Sequence, residues 1–229
     1  MSISILEIDR QRLSSVIVSY STCKVCGYAT SDLNITLVGH PCSHCGSPSQ
    51  GGMLLFKLGV YIMVDLMQEY YHLHPTESRI SKALGENQEN HLLAIIVFYC
   101  SLGEILLENF LTDYMNKISI PDKVQDELLR DISMDKRLGL FRALTGKKFS
   151  QAVAELDKGS DKDYQRVVES YINVREKRNK FLHVGNMFII GKEMVEQCLT
   201  DSPILINLFV KLHNVFLVEP VNQIGNENA

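Results

Sequence analysis

The chain has 229 residues, a net charge of −4 and 22% charged residues. That length suits one main domain with a small appendage, and 45% hydrophobic residues supply a core, which excludes an intrinsically disordered chain. The slight acidity excludes a uniformly basic nucleic-acid binder, so any polyanion site must come from local clustering.

Residues 1–20 contain Glu7 and Asp9 in an alternating apolar pattern and lack the apolar run of a secretory signal. Ser15–Tyr20 reads as a strand leading into Cys23-Lys-Val-Cys26-Gly27. Leu33, Ile35 and Leu37 alternate, which predicts a second strand over 33–38, leading toward Cys42-Ser-His-Cys45-Gly46. Each pair has the two-residue spacing that points two thiolates at one metal, and fifteen residues separate the pairs. A glycine after each second cysteine permits a tight turn that aims backbone N–H groups at sulfur. The expected occupant is one structural Zn2+ per chain on Cys23, Cys26, Cys42 and Cys45. Four thiolates leave the metal no open position for chemistry.

Two disulfides are the alternative reading, but nothing else in the sequence suits a secreted protein. A redox dithiol needs only one such pair. A reducing, cytoplasmic setting is expected. His40 and His44 flank the cysteines, yet four sulfurs already fill a tetrahedron. This segment has too few apolar residues to fold alone, so zinc supplies the missing folding free energy.

Ser47–Gly52 reads as a linker, and helical periodicity follows it. The pattern predicts helices over Met53–Tyr71, Thr76–Leu84 and Gln88–Ile118, then Lys123–Ile132 after Pro121. Met134–Leu144 stops at Gly146, Phe149–Leu156 follows, and Asp161–Val184 is a second long helix closed by Gly185. Asn186–Gly191 reads as a short extended piece. Ser202-Pro203 opens a last helix that ends before Pro220, and 221–229 is a frayed tail. Lys57, Asp65 and Glu104 interrupt the apolar stretches Met53–Met67 and Leu92–Leu107, which therefore read as buried helices and not bilayer spans. Cys100 and Cys198 stand alone in apolar surroundings, as core thiols do. The fold class is mainly α: a helical bundle over 51–220, preceded by a small β zinc ribbon with a short N-terminal extension over 1–50.

The densest functional signal closes the second long helix: Arg175-Glu-Lys177-Arg178-Asn179-Lys180-Phe-Leu-His183. Residues 175–180 hold four positive charges against one negative. Asn179 and His183 are four apart and share a face. Arg178 is five from His183, about 140° around the axis, so one helix alone splays the two apart. Plain helix-end behaviour also accounts for the residues. Cations complement the macrodipole there, and His183 could bind a free carbonyl. Lys147, Lys148, Arg137 and Arg142 read as scattered surface charge more than as an extended basic surface. His72 and His74 read as loop residues, and Tyr70 and Tyr71 as packing residues.

Arg178-Asn179-Lys-Phe-Leu-His183 resembles the Arg-x(4–6)-His signature of the HEPN superfamily, in which asparagine commonly follows the arginine. Leu92–Lys117, with Tyr99-Cys-Ser-Leu-Gly-Glu104-Ile-Leu-Leu-Glu108, is similar to the acidic, leucine-rich early helix of these domains. The resemblance covers roughly 55–218. It implies a HEPN-like bundle that dimerises through its motif helices and a metal-independent endoribonuclease with a composite Arg/His active site, in which both copies line one cleft. His183 would move the proton of the RNA 2′-hydroxyl or of the leaving oxygen, and Arg178 would stabilise charge on the scissile phosphate. Asn179 would orient groups, and Glu104, in preference to Glu108, would hold Arg178. Arg175, Lys177 and Lys180 would contact RNA. The resemblance further implies a toxin or phage-defence effector controlled by an antitoxin or activator. A HEPN dimer that has lost catalysis and serves as an adaptor is the alternative, and a zinc-ribbon transcription factor with a helical dimerisation domain is a third.

Overall fold

The computed structural model describes residues 20–73, 92–130, 132–184 and 190–218. Seven α-helices account for most of them: α1 (Leu58–Leu73), α2 (Leu93–Lys117), α3 (Asp122–Leu129), α4 (Met134–Thr145), α5 (Phe149–Asp157), α6 (Tyr164–Val184) and α7 (Lys192–Phe216). A small sheet of β1 (Ser21–Thr22), β2 (Ala29–Thr30) and β3 (Met53–Leu54) has the order β2-β1-β3, and both pairings are antiparallel. The described residues form two compact units. One holds 58–106 and 153–207; the other holds 20–57, 107–152 and 208–218. Residues 20–50, from the segment expected as a ribbon over 1–50, therefore fall in one unit with part of the helical segment expected over 51–220.

In the first unit α6 buries Tyr164, Val167, Tyr171 and Val174. Their three-and-four spacing is a single helical stripe. Its start is fixed by Asp157, whose carboxylate accepts from the backbone N–H groups of Tyr164 (2.7 Å) and Gln165 (2.9 Å). Tyr171 lies against α2 at Gly103, where an added Cβ would stand 2.3 Å from the ring. The Tyr171 hydroxyl donates to the Cys100 carbonyl at 3.0 Å, and its ring meets Tyr99 edge to face. Gly103 thus lets the two helices approach with only a ring between them.

The last helix does not open at Pro203. It starts at Lys192 and carries Pro203 in its interior. Proline removes one i→i−4 bond, which usually ends or bends a helix. Here Thr200 and Ser202 donate their hydroxyls back to the carbonyls of Glu196 and Cys198, and the apolar face continues through Leu205, Ile206 and Leu208 to Phe209. Burial outweighs the lost bond. Asp201 is fully buried, held by Arg166 Nη2 (2.8 Å), Arg166 Nη1 (3.3 Å) and Gln197 (2.7 Å).

The second unit packs Phe110, Phe141, Phe149, Phe209 and Phe216 ring against ring. The strand predicted over 33–38 is instead a 3-10 turn, Leu33–Thr36. Asp32 accepts from the Asn34 N–H at 2.9 Å and caps it, and local side-chain bonding of this kind competes with strand pairing. Ile35 is buried with Cys23 and Cys42. Residues 47–52 are no linker. Ser49 is buried, its hydroxyl donates to the Ile35 carbonyl, and its backbone bonds both Gly39 and His40. Met53–Leu54 then adds a strand to β1, so α1 begins at Leu58 and not at Met53.

The helix expected over Thr76–Leu84, the residue His74 and the tail 221–229 lie outside the described residues, as do 1–19 and most of Asn186–Gly191. Among the described residues, α2 alone is long and apolar enough to cross a membrane by length and composition. Half of its most apolar window is buried within the protein.

Candidate metal centre and arginine cluster

Two matching turns carry the four cysteines. In the first, the Cys23 carbonyl accepts from Gly27 N–H (2.8 Å) and Cys23 N–H donates to the Tyr28 carbonyl (3.0 Å). In the second, the Cys42 carbonyl accepts from Gly46 N–H (2.8 Å) and Cys42 N–H donates to the Ser47 carbonyl (2.9 Å). Gly27 and Gly46 sit at φ 76° and 71°, the left-handed region that favours glycine. That conformation frees backbone N–H groups for sulfur. Tyr28 bonds Cys26, Ser47 bonds Cys45, and His44 and Cys45 bond Cys42.

All four Sγ atoms lie within 4.8 Å of one another, and Cys26 and Cys42 Sγ are 3.9 Å apart. No disulfide joins them. A tetrahedral metal with bonds of about 2.3 Å to sulfur requires S···S edges of about 3.8 Å, so the four thiols fit such an ion. Burial pushes the Cys26 thiol up to about 12. It also works to raise Cys45, but hydrogen bonds from the Ser47 backbone and side chain hold that thiol down at about 7. The cluster can take a metal ion. His44 stays outside it and stacks on Tyr28, with ring centres 4.6 Å apart.

No local sequence signal points to what anchors these turns. His213, on α7, bonds the Gly27 carbonyl at 3.0 Å. The Asn214 side chain accepts from Ala29 N–H (2.8 Å) and donates to the Ala29 carbonyl (2.9 Å). This amide occupies the free edge of β2 as a neighbouring strand would. The two residues are 185 positions apart, and no local pattern links them.

The helix α6 supplies a second cluster, with Glu104 of α2, within the first unit. Glu104 Oε1 accepts from Arg178 Nη2 at 2.7 Å and from Arg175 Nε at 3.3 Å. Glu108 instead takes Arg137 at 2.8 Å, in the second unit. Arg178 is seven positions after Tyr171 and continues the buried stripe of α6. Its side chain is 15% exposed, against 22% for Arg175 and 30% for Glu104. Burial works against the charge of Arg178, but the Cys100 sulfur and Glu104 outweigh it and hold the guanidinium protonated. Burial pushes the Cys100 thiol up, so it meets Arg178 as a neutral group. Arg178 Nε is buried without a hydrogen-bond partner.

Asn179 and Lys177 are half-buried and Lys180 is exposed. His183 falls in the last turn of α6, and its side chain lies outside the described residues. Lys148 and Arg142 are exposed. No protein-family model, no curated protein and no solved structure matches the chain.

Proposed function

We propose that this chain is a HEPN-type helical protein that cleaves RNA without a catalytic metal, as a dimer joined through α6, and that its cysteine centre holds structural Zn2+. One observation carries the reading: two guanidiniums of the motif helix share one carboxylate, Glu104. That ratio leaves one positive charge over at a partly exposed site, and a phosphate can compensate it. Ile172 supports the dimer. It is 45% exposed and lies within about 20° of Asn179 and position 183 around the helix axis. An exposed apolar side chain on that face suits contact with a second copy.

In this reading the 2′-hydroxyl oxygen attacks phosphorus, the P–O2′ bond forms and the P–O5′ bond breaks. The His183 imidazole moves a proton from the 2′-oxygen or to the 5′-oxygen. Arg178 stabilises the charge that builds on the phosphoryl oxygens. The product is a 2′,3′-cyclic phosphate with a free 5′-hydroxyl, and no metal takes part. The zinc, on Cys23, Cys26, Cys42 and Cys45, supplies folding free energy to the small sheet. Control by an antitoxin or activator would suit a toxin or defence effector.

The burial of Arg178 favours a second reading. A bundle that keeps the Glu104 pair for packing alone would dimerise and bind partners without cleaving. Structured RNA incubated with the purified protein in excess EDTA separates the two. Cyclic-phosphate products that vanish in a folded, dimeric His183→Ala variant support the nuclease. Cleavage undiminished in that variant rejects the site, and no cleavage by the natural chain favours the adaptor.

A further inference from the structure

The two arginines on Glu104 are held in different ways. Arg178 uses its terminal Nη2 on Glu104, lies in the buried stripe and is 15% exposed. Arg175 is held through Nε, at the base of its guanidinium, and is 22% exposed. Its two terminal nitrogens lie beyond that bond. The helix register separates the pair further. Arg175, Asn179 and position 183 follow one another at i, i+4 and i+8, stepping about 40° each time. Arg178 lies about 140° from position 183.

We infer that Arg175 is the guanidinium that meets the scissile phosphate beside Asn179 and His183, and that Arg178 is a positioning residue that fixes Glu104 and, through it, Arg175. The inference rests on the ribonuclease reading and changes the arginine that does the chemistry. Glu104 then has two tasks. It neutralises Arg178 within the stripe, and it orients Arg175 by accepting from Nε, which leaves the Nη edge for two phosphate oxygens.

The test compares Arg175→Gln with the double variant Glu104→Gln/Arg178→Met in the full-length, metal-loaded protein. The double variant keeps a neutral acceptor for Arg175 and leaves the net charge of the cluster unchanged. Melting temperature, cleavage in EDTA, and affinity for a single-stranded RNA at several salt concentrations are read for each. Arg175→Gln is expected to melt near the natural protein, cleave at least 100-fold more slowly, and flatten the log affinity against log salt plot by about 0.7, the loss of one phosphate contact. The double variant is expected to hold the natural salt slope. A flattened slope in the double variant with an unchanged one in Arg175→Gln overturns the assignment and returns the phosphate to Arg178. If the natural chain neither binds nor cleaves RNA, the ribonuclease reading falls, and this assignment with it.

Discussion

Gly103→Ala tests the close approach of α2 and α6. The new Cβ would stand 2.3 Å from Tyr171 Cε2, 2.5 Å from Cζ and 2.8 Å from the hydroxyl oxygen. An ordinary contact needs about 1 Å more, at least. The ring cannot easily give way, because its hydroxyl is bonded to the Cys100 carbonyl and its flank to Tyr99. Overpacking of this kind costs about 1–3 kcal/mol, and loss of the Tyr171 hydrogen bond adds about 1 kcal/mol. Alanine's better helix propensity returns about 1 kcal/mol. The net is a loss of about 1–3 kcal/mol, read as a fall of about 2–4 °C in melting temperature for each kcal/mol in a chain of this size. Gly139→Ala on α4 is the control, since nothing lies within 4 Å of its added Cβ; it should stabilise by about 1 kcal/mol. A Tyr171→Leu background should remove most of the Gly103→Ala penalty. If Gly103→Ala stabilises as much as Gly139→Ala, the close approach of α2 and α6 is wrong.

Two other predictions concern the second unit. Metal analysis of protein made under reducing conditions should find one zinc per chain, and Cys23→Ser should abolish it. In that variant the Ala29 amide, held by Asn214, should lose hydrogen-exchange protection; full protection without metal would remove the centre's structural role. Burial raises the Asp113 carboxyl to about 6, against a partial opposing pull from Lys57. The folded protein therefore binds this proton more tightly than the unfolded chain does. Its contribution to stability is complete below about pH 4 and is lost as pH rises through about 6, a change of about 3 kcal/mol at most. Asp113→Asn should flatten that slope and stabilise the protein at pH 7, whereas an unaltered slope in urea titrations at pH 4 and 7 would assign it to another group.

The helices were legible because their caps and stripes are local. Gly146 closes α4, Pro121 precedes α3, and the three-and-four spacing of Tyr164, Val167, Tyr171 and Val174 marks α6. The cysteine centre was legible for the same reason, since each turn carries its own pair and glycine. The ribbon's strands were not. Alternation at Leu33, Ile35 and Leu37 looks like a strand, but only Asp32 and the packing of Ile35 on the cysteines decide the outcome. Pro203 misled because a proline's usual effect was overridden by burial on both sides of it. Glu104 and Glu108 are one turn apart on one face, so sequence alone could rank them but not separate them. The separation comes from α4, which brings Arg137 to Glu108, and from α6, which brings two arginines to Glu104. Nothing in the sequence near Ala29 foretells Asn214.

The stoichiometry at Glu104 constrains what the cluster can do. An arginine within the apolar stripe of α6 needs a partner, because removing one member of a buried pair costs about 3–5 kcal/mol. One carboxylate would be enough for Arg178. Adding Arg175 to the same oxygen brings two like charges together, which disfavours a sealed site. The cluster tolerates this because Glu104 is 30% exposed and Arg175 22%, so water screens part of the repulsion. Among the described residues, no second carboxylate closes the charge on either arginine. An anion arriving from solvent would do so, and it would relieve repulsion as well as gain attraction. A neutral ligand could do neither. The charge balance at one oxygen therefore favours an anion over a neutral group at this site.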